Sequence, residues 1–139
     1  MPATGWEHLS HQADIGVRGF GPTREAAFEQ TALALTTAVC DPGSVAATRA
    51  VAVTATGGDD ESLLVAWLNA LIFEMATRRM LFSRFDVTID GTRLRATAWG
   101  EEIDVARHAP AVEVKGATYT GLRVAEENGV WSAECVIDV

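Results

Sequence analysis

At 139 residues, 48% apolar and 22% charged, the chain has the size and make-up of one globular domain, taken as 1–139. Its formal net charge of −8 sets it against phosphate backbones, so no direct nucleic-acid binding is expected, and cations or a basic partner protein are its natural ligands. No apolar run approaches the ~20 residues of a membrane helix and no secretory pattern opens the chain, which gives an expectation of no membrane and a cytoplasmic location.

Taken in order, Ile15, Val17 and Gly19 alternate with Arg18 and Phe20, as in a short strand. Gly21-Pro22 breaks it. Thr23 is a helix N-cap candidate, and Glu25 adds negative charge to the first turn. Phe28, Ala32, Leu35 and Val39 then form one apolar stripe, and Asp41-Pro42 ends the helix. The Ala-, Val- and Thr-rich run from Ala47 to Thr56 reads as a strand. After Gly57-Gly58, Asp59, Asp60 and Glu61 open a second helix with a wide apolar face through Leu64, Trp67, Leu68, Leu71 and Met75.

Two hairpins follow. Asp90-Gly91 is a short turn signal, and a two-residue turn there sets Val87 against Leu94 and Phe85 against Ala96. Gly100 to Pro110 reads as an irregular surface loop. Asn128-Gly129 turns the second hairpin, with Arg123 against Glu134, Val124 against Ala133, Thr120 against Ile137 and Tyr119 against Asp138. The pattern predicts a two-layer α+β domain, two helices packed on one largely antiparallel sheet. Cys40 and Cys135 lack a CxxC spacing and read as buried, reduced thiols.

The candidate chemistry lies at the two ends. Asp14 adjoins the first strand and Asp138 closes the last, and hard divalent cations take several oxygens from carboxylates, carbonyls and water. A backbone oxygen of Val139 adds to that set. His8, His11 and His108 show no zinc spacing, and no phosphate loop, dinucleotide fingerprint or nucleophile elbow is present. Nothing in the residues names an enzyme acting on its own.

At His11-Gln12-Ala13-Asp14-Ile15-Gly16, Thr23 to Phe28, Leu63 to Asn69, Leu81-Phe82-Ser83, Val112 to Tyr119 and Val136 to Val139, the chain resembles the archease family. The matches are collinear and cover nearly its whole length. The resemblance implies an archease-like fold. It also implies a protein cofactor, not itself catalytic, that promotes guanylylation and multiple turnover of an RtcB-type RNA ligase in tRNA splicing and RNA repair. GTP is reached only through the ligase. The implied cation site uses Asp14, Asp138 and Val139, with calcium expected first and magnesium or manganese as alternatives. His11 and Lys115 are implied contacts to the partner or nucleotide. Gln12 stands where Thr is common in the family, Thr120 where His is common, and Ile103-Asp104-Val105 in place of Phe-Asp-Pro. These departures suggest a divergent, bacterial-type member. They also keep a second expectation in view, a cation-binding adaptor for a different protein complex.

Overall fold

The computed structural model describes residues 4–11 and 13–139, and the side chain of His11 lies outside the described set. Chain order is β1 (Gly5–His11), β2 (Asp14–Gly21), α1 (Arg24–Val39), β3 (Arg49–Thr56), α2 (Asp60–Arg78), β4 (Met80–Asp90), β5 (Arg93–Glu102), α3 (Val105–His108), β6 (Gly116–Glu127) and β7 (Val130–Asp138).

Both long helices start where local chemistry directs. Thr23 Oγ1 accepts the Ala26 N–H at 3.0 Å, and Asp59 Oδ1 accepts the Ser62 N–H at 2.8 Å. Each cap satisfies a donor the helix cannot satisfy itself, worth about 1 kcal/mol. The stripe Phe28, Ala32, Leu35 and Val39 is buried, as are Leu64, Trp67, Leu68 and Leu71 of α2. The Trp67 indole N–H donates to the Phe28 carbonyl at 3.0 Å, which ties the two helices together.

The α+β class and the antiparallel pairing are as expected. The expected single sheet is instead two, a four-stranded sheet in the order β1-β2-β7-β6 and a three-stranded sheet in the order β3-β5-β4. Two strand edges show why they do not merge. On β4, Thr36 Oγ1 of α1 donates to the Phe82 carbonyl at 2.7 Å, and Glu29 of α1 accepts the Val87 N–H at 2.8 Å. On β6, Glu61 and Asn69 of α2 accept the N–H groups of Val124 and Ala117 at 3.1 and 2.8 Å. Side chains from the helices occupy backbone groups that a further strand would need. Both long helices touch strands of both sheets, and one buried cluster draws on the two helices and on both sheets.

Three further expectations are corrected. β1 was not anticipated as a strand; it pairs with β2 from Gly5↔Phe20 to His11↔Asp14. The supposed loop from Gly100 holds the end of β5 and the short α3, and His108 is buried in it. Its Nδ1 accepts the Asp104 N–H at 2.8 Å, so its Nε2 carries the hydrogen that faces Glu101 Oε2 at 3.0 Å. Both hairpins also differ in register. In the first, Val87 faces Ala96 and Phe85 faces Ala98, two residues from expectation, because Gly91-Thr92 rather than Asp90-Gly91 forms the turn. A shift of two keeps every side chain on its face. In the second, Arg123↔Glu134 and Val124↔Ala133 are as expected. Beyond them β6 bulges, so that Thr118 faces Val136 and Gly116, not Tyr119, faces Asp138. Gly121 sits in that bulge at φ +62°, a left-handed conformation that favours glycine.

Candidate functional site

The ladder between β2 and β7 runs from Gly21↔Trp131 to Ile15↔Ile137. Continued by one residue, it sets Asp14 opposite Asp138. On either side of this pair, His11 is opposite Asp14 and Gly116 is opposite Asp138. The four-stranded sheet therefore ends in one row drawn from all four of its strands. Directly opposed residues on antiparallel neighbours lie about 4.5–5.5 Å apart at Cα and project to the same face. The two carboxylates that sequence places at opposite ends of the chain thus belong to one row and one face.

Their electrical setting stands out against another row of the same face, four residues along both strands. There Arg18 stands between Glu7 and Glu134, with guanidinium–carboxylate distances of 2.6 and 2.9 Å. The bond to Glu7, opposed by partial burial and reinforced by Glu134, raises the Arg18 pKa. At the Asp14–Asp138 row no cationic side chain takes that place among the described residues. Neither carboxylate there has a hydrogen-bond donor or an ion-pair partner in that set. Two like charges set directly across a ladder repel. A divalent cation, or a cationic group of a partner, relieves that repulsion.

The remaining predicted residues fall as follows. Lys115 is exposed, and its backbone N–H donates to the Asp138 carbonyl at 2.8 Å, so the main chain at Lys115 abuts the row. Val139 is half-buried and packs against the core cluster. The side chain of His11 and all of Gln12 lie outside the described residues. Thr120 is exposed on the β6 bulge, where its N–H donates to Thr118 Oγ1 at 3.3 Å. Asp14, Ile15 and Ser10 line a cleft of about 330 Å³ whose far wall is Thr37 and Ala38 of α1. His8 also lines it, but its Nε2 is committed to the Ala34 carbonyl at 2.8 Å.

Among the described residues, no three His, Cys, Asp or Glu side chains gather closely enough to hold a metal. The donor set expected from the sequence is two carboxylates plus a main-chain oxygen. Such a set suits a hard, oxygen-seeking cation that keeps several waters, and not a nitrogen- or sulfur-seeking one. Cys40 and Cys135 are both buried and unpaired, and burial pushes the Cys135 thiol up to about 11.

Sequence reasoning missed Asn69. Its side-chain oxygen accepts the Ala117 N–H, one residue from the Gly116↔Asp138 pair. The available signal was a lone amide side chain in the apolar middle of α2.

A model of the archease protein family matches residues 6–139. The protein archease of Pyrococcus abyssi is 37% identical, covering 96% of this chain and 98% of its own length. That of Aeropyrum pernix is 35% identical and covers 100% of both chains. The solution structure of protein 1598 of Methanobacterium thermoautotrophicum agrees with a TM-score of 0.82 at 35% identity, over 97% of this chain and 99% of that one. A crystal structure of an archease from Thermotoga maritima, termed a possible chaperone, agrees with a TM-score of 0.63 at 17% identity over 96% of each chain, and bears on the fold alone.

Proposed function

This chain belongs to the archease family, and from that footing we propose that it is a protein cofactor of an RtcB-type RNA ligase. In this reading it promotes guanylylation of the ligase and its multiple turnover, in tRNA splicing and RNA repair in the cytoplasm. It forms no covalent intermediate itself, and GTP is engaged only through the ligase.

The observation that carries the reading is the β2–β7 ladder, which reaches Ile15↔Ile137 and, continued by one residue, sets Asp14 opposite Asp138, with no protein cation between them among the described residues. Asp14, Asp138 and a backbone oxygen of Val139 would hold a divalent cation, calcium before magnesium or manganese. When bound, such an ion supplies positive charge for phosphate oxygens, which an acidic protein otherwise lacks. The protein's own groups do the rest. The two aspartates present an acidic edge to a basic, phosphate-binding mouth of the partner. Lys115, exposed beside Asp138, and His11, in the same row, are the proposed contacts to partner or nucleotide.

The test is guanylate transfer. The ligase from the same host is mixed with GTP and manganese, with and without this chain, and labelled guanylate on the ligase is followed over time. Acceleration is expected, and Asp14→Ala and Asp138→Ala should each remove most of it while keeping the far-ultraviolet circular dichroism of the parent. No acceleration over ligase alone would sink the reading.

One observation favours a second reading, a cation-binding adaptor for another complex. Thr120 lies exposed on the bulge nearest the site, where the family commonly has a histidine. Pull-down from host lysate recovering other proteins and no ligase would decide for it.

A further inference from the structure

We propose that Asn69, on the exposed side of α2, is the positioning residue of the Asp14–Asp138 site. The inference rests on the cation reading given above. It begins from a mechanical weakness. Asp138 is the last strand residue of β7, and strand ends fray unless tied down. On one side β2 holds β7 through seven paired residues. On the other, β6 reaches Asp138 only through the short stretch Gly116, Ala117 and Thr118.

That stretch is cut off from the rest of β6. Between Thr118↔Val136 and Arg123↔Glu134 the chain spends four residues of β6 against one of β7, with Gly121 in the left-handed region. Pairing near the turn therefore cannot set the register at Asp138. Something else must, and the structure offers one contact of the right kind. Asn69 Oδ1 accepts the Ala117 N–H at 2.8 Å, and a Cβ at Gly116 would stand 3.5 Å from the same oxygen. The helix behind it is anchored by packing, with Leu68 and Leu71 near Asn69 buried in the core. The grip fixes Ala117 against Ile137, hence Gly116 against Asp138. It also holds the Lys115 N–H on the Asp138 carbonyl. Asn69 thus acts on the site through β6 and not by touching a cation.

The simpler alternative is an ordinary edge cap, such as Glu61 provides for Val124 on the other side of the bulge. The two differ in consequence. Loosening Val124 should stop at the bulge, whereas loosening Ala117 should reach Asp138.

The experiment is calcium titration by calorimetry together with amide hydrogen exchange, on the parent chain, Asn69→Ala, Asn69→Asp and Glu61→Ala. Asn69→Ala should weaken calcium binding about fivefold, the scale of one neutral hydrogen bond. It should also speed exchange at Ala117 and Lys115. Asn69→Asp keeps an acceptor oxygen, so affinity should stay within about twofold of the parent or improve. Glu61→Ala should speed exchange at Val124 and leave calcium binding unchanged.

Parental affinity in Asn69→Ala overturns the proposal. So does equal weakening by Asn69→Asp, or equal weakening by Glu61→Ala. Should the parent chain bind neither calcium, magnesium nor manganese, the cation reading fails by itself. Exchange at Lys115 in Asn69→Ala then decides whether the register clamp exists: faster exchange keeps it, unchanged exchange removes it.

Discussion

In the three-stranded sheet, Val51, Val53 and Ala55 of β3 and Leu94, Ala96 and Ala98 of β5 are buried, and the residues between them face outward. In β7 of the four-stranded sheet, Ala133, Cys135, Val136 and Ile137 are all buried. The first sheet presents one face to the helices and one to water, the usual arrangement for antiparallel strands. The second departs from it because the β6 bulge folds over Val136, to which a Cβ on Gly121 would come within 3.6 Å. The three-stranded sheet, with a single register shift between Phe82 and Arg84, serves as support. The irregular one carries the charged rows, the bulge and the candidate site. The comparison teaches that the site lies beyond a break in the β6–β7 pairing, so its geometry on that side depends on contacts from outside the strand pair.

Substitutions at four positions break or sharpen that comparison, beginning with the largest effect. Trp67 is fully buried, donates to Phe28, and meets Phe85 edge-on at 6.1 Å between ring centres. It belongs to the core both sheets share. Trp67→Ala should cost about 3–5 kcal/mol, read as a lower urea midpoint by fluorescence and circular dichroism together. A loss confined to one sheet in residue-resolved exchange would show that the core is not shared.

Next come the capped edges. Glu29→Ala leaves the Val87 N–H of β4 without its acceptor and should cost about 1–3 kcal/mol. Glu29→Gln keeps an acceptor oxygen and should cost less. Burial, with Asp86 and Glu25 adding to it, raises the Glu29 pKa above its ordinary 4.5. The folded state therefore binds that proton more tightly than the unfolded one. The contribution is fully present below 4.5 and is lost as pH rises through the folded value. Glu29→Gln should gain on the parent over that interval, and a flat difference in urea-derived stability would contradict it.

Gly121→Ala should cost about 1 kcal/mol, because an alanine in the left-handed region is strained. Its effect should stay within the four-stranded sheet, seen as faster exchange at Thr118 and Thr120 with β3–β5 unchanged. Equal loosening of both sheets would erase the distinction between them.

The smallest effect concerns Glu101 at the end of β5. Bonds from Arg107, the Ala46 N–H and His108 hold its carboxyl down to about 2. A depressed folded pKa gives stability that is present above 4.5 and lost as pH falls from there toward about 2. Glu101→Gln should therefore be less stable than the parent at neutral pH and converge with it near pH 2. A difference that persists at that pH would mean that the α3 segment is held by something other than this carboxylate.

Much of this was legible beforehand. Thr23 and Asp59 are local signals, since a side chain three residues from the donor it satisfies needs no partner from elsewhere. The stripes on α1 and α2 are legible because the helical period puts Phe28, Ala32, Leu35 and Val39 on one side by itself. Arg123 against Glu134 follows from the turn between them. The aspartates could be named, but only as residue types that suit a cation. β1 was hidden because its run from Trp6 to Ser10 mixes polar and apolar residues without clear alternation. His108 was hidden because its partners, Glu101 and Asp104, look like surface acids until α3 folds back on β5.

The residues themselves determined the helices, the turns, the face each strand offers near its turn and the family to which the chain belongs, because each depends on neighbours within a few positions. Only the tertiary structure decided that the strands part into two sheets, that β6 slips three residues against β7, and that Asp14 comes to stand across from Asp138. Those outcomes depend on backbone groups far apart in the chain competing for the same hydrogen bonds. Glu29, Thr36, Glu61 and Asn69 hold backbone groups at the strand edges, contacts that exist only with the helices docked on the sheets.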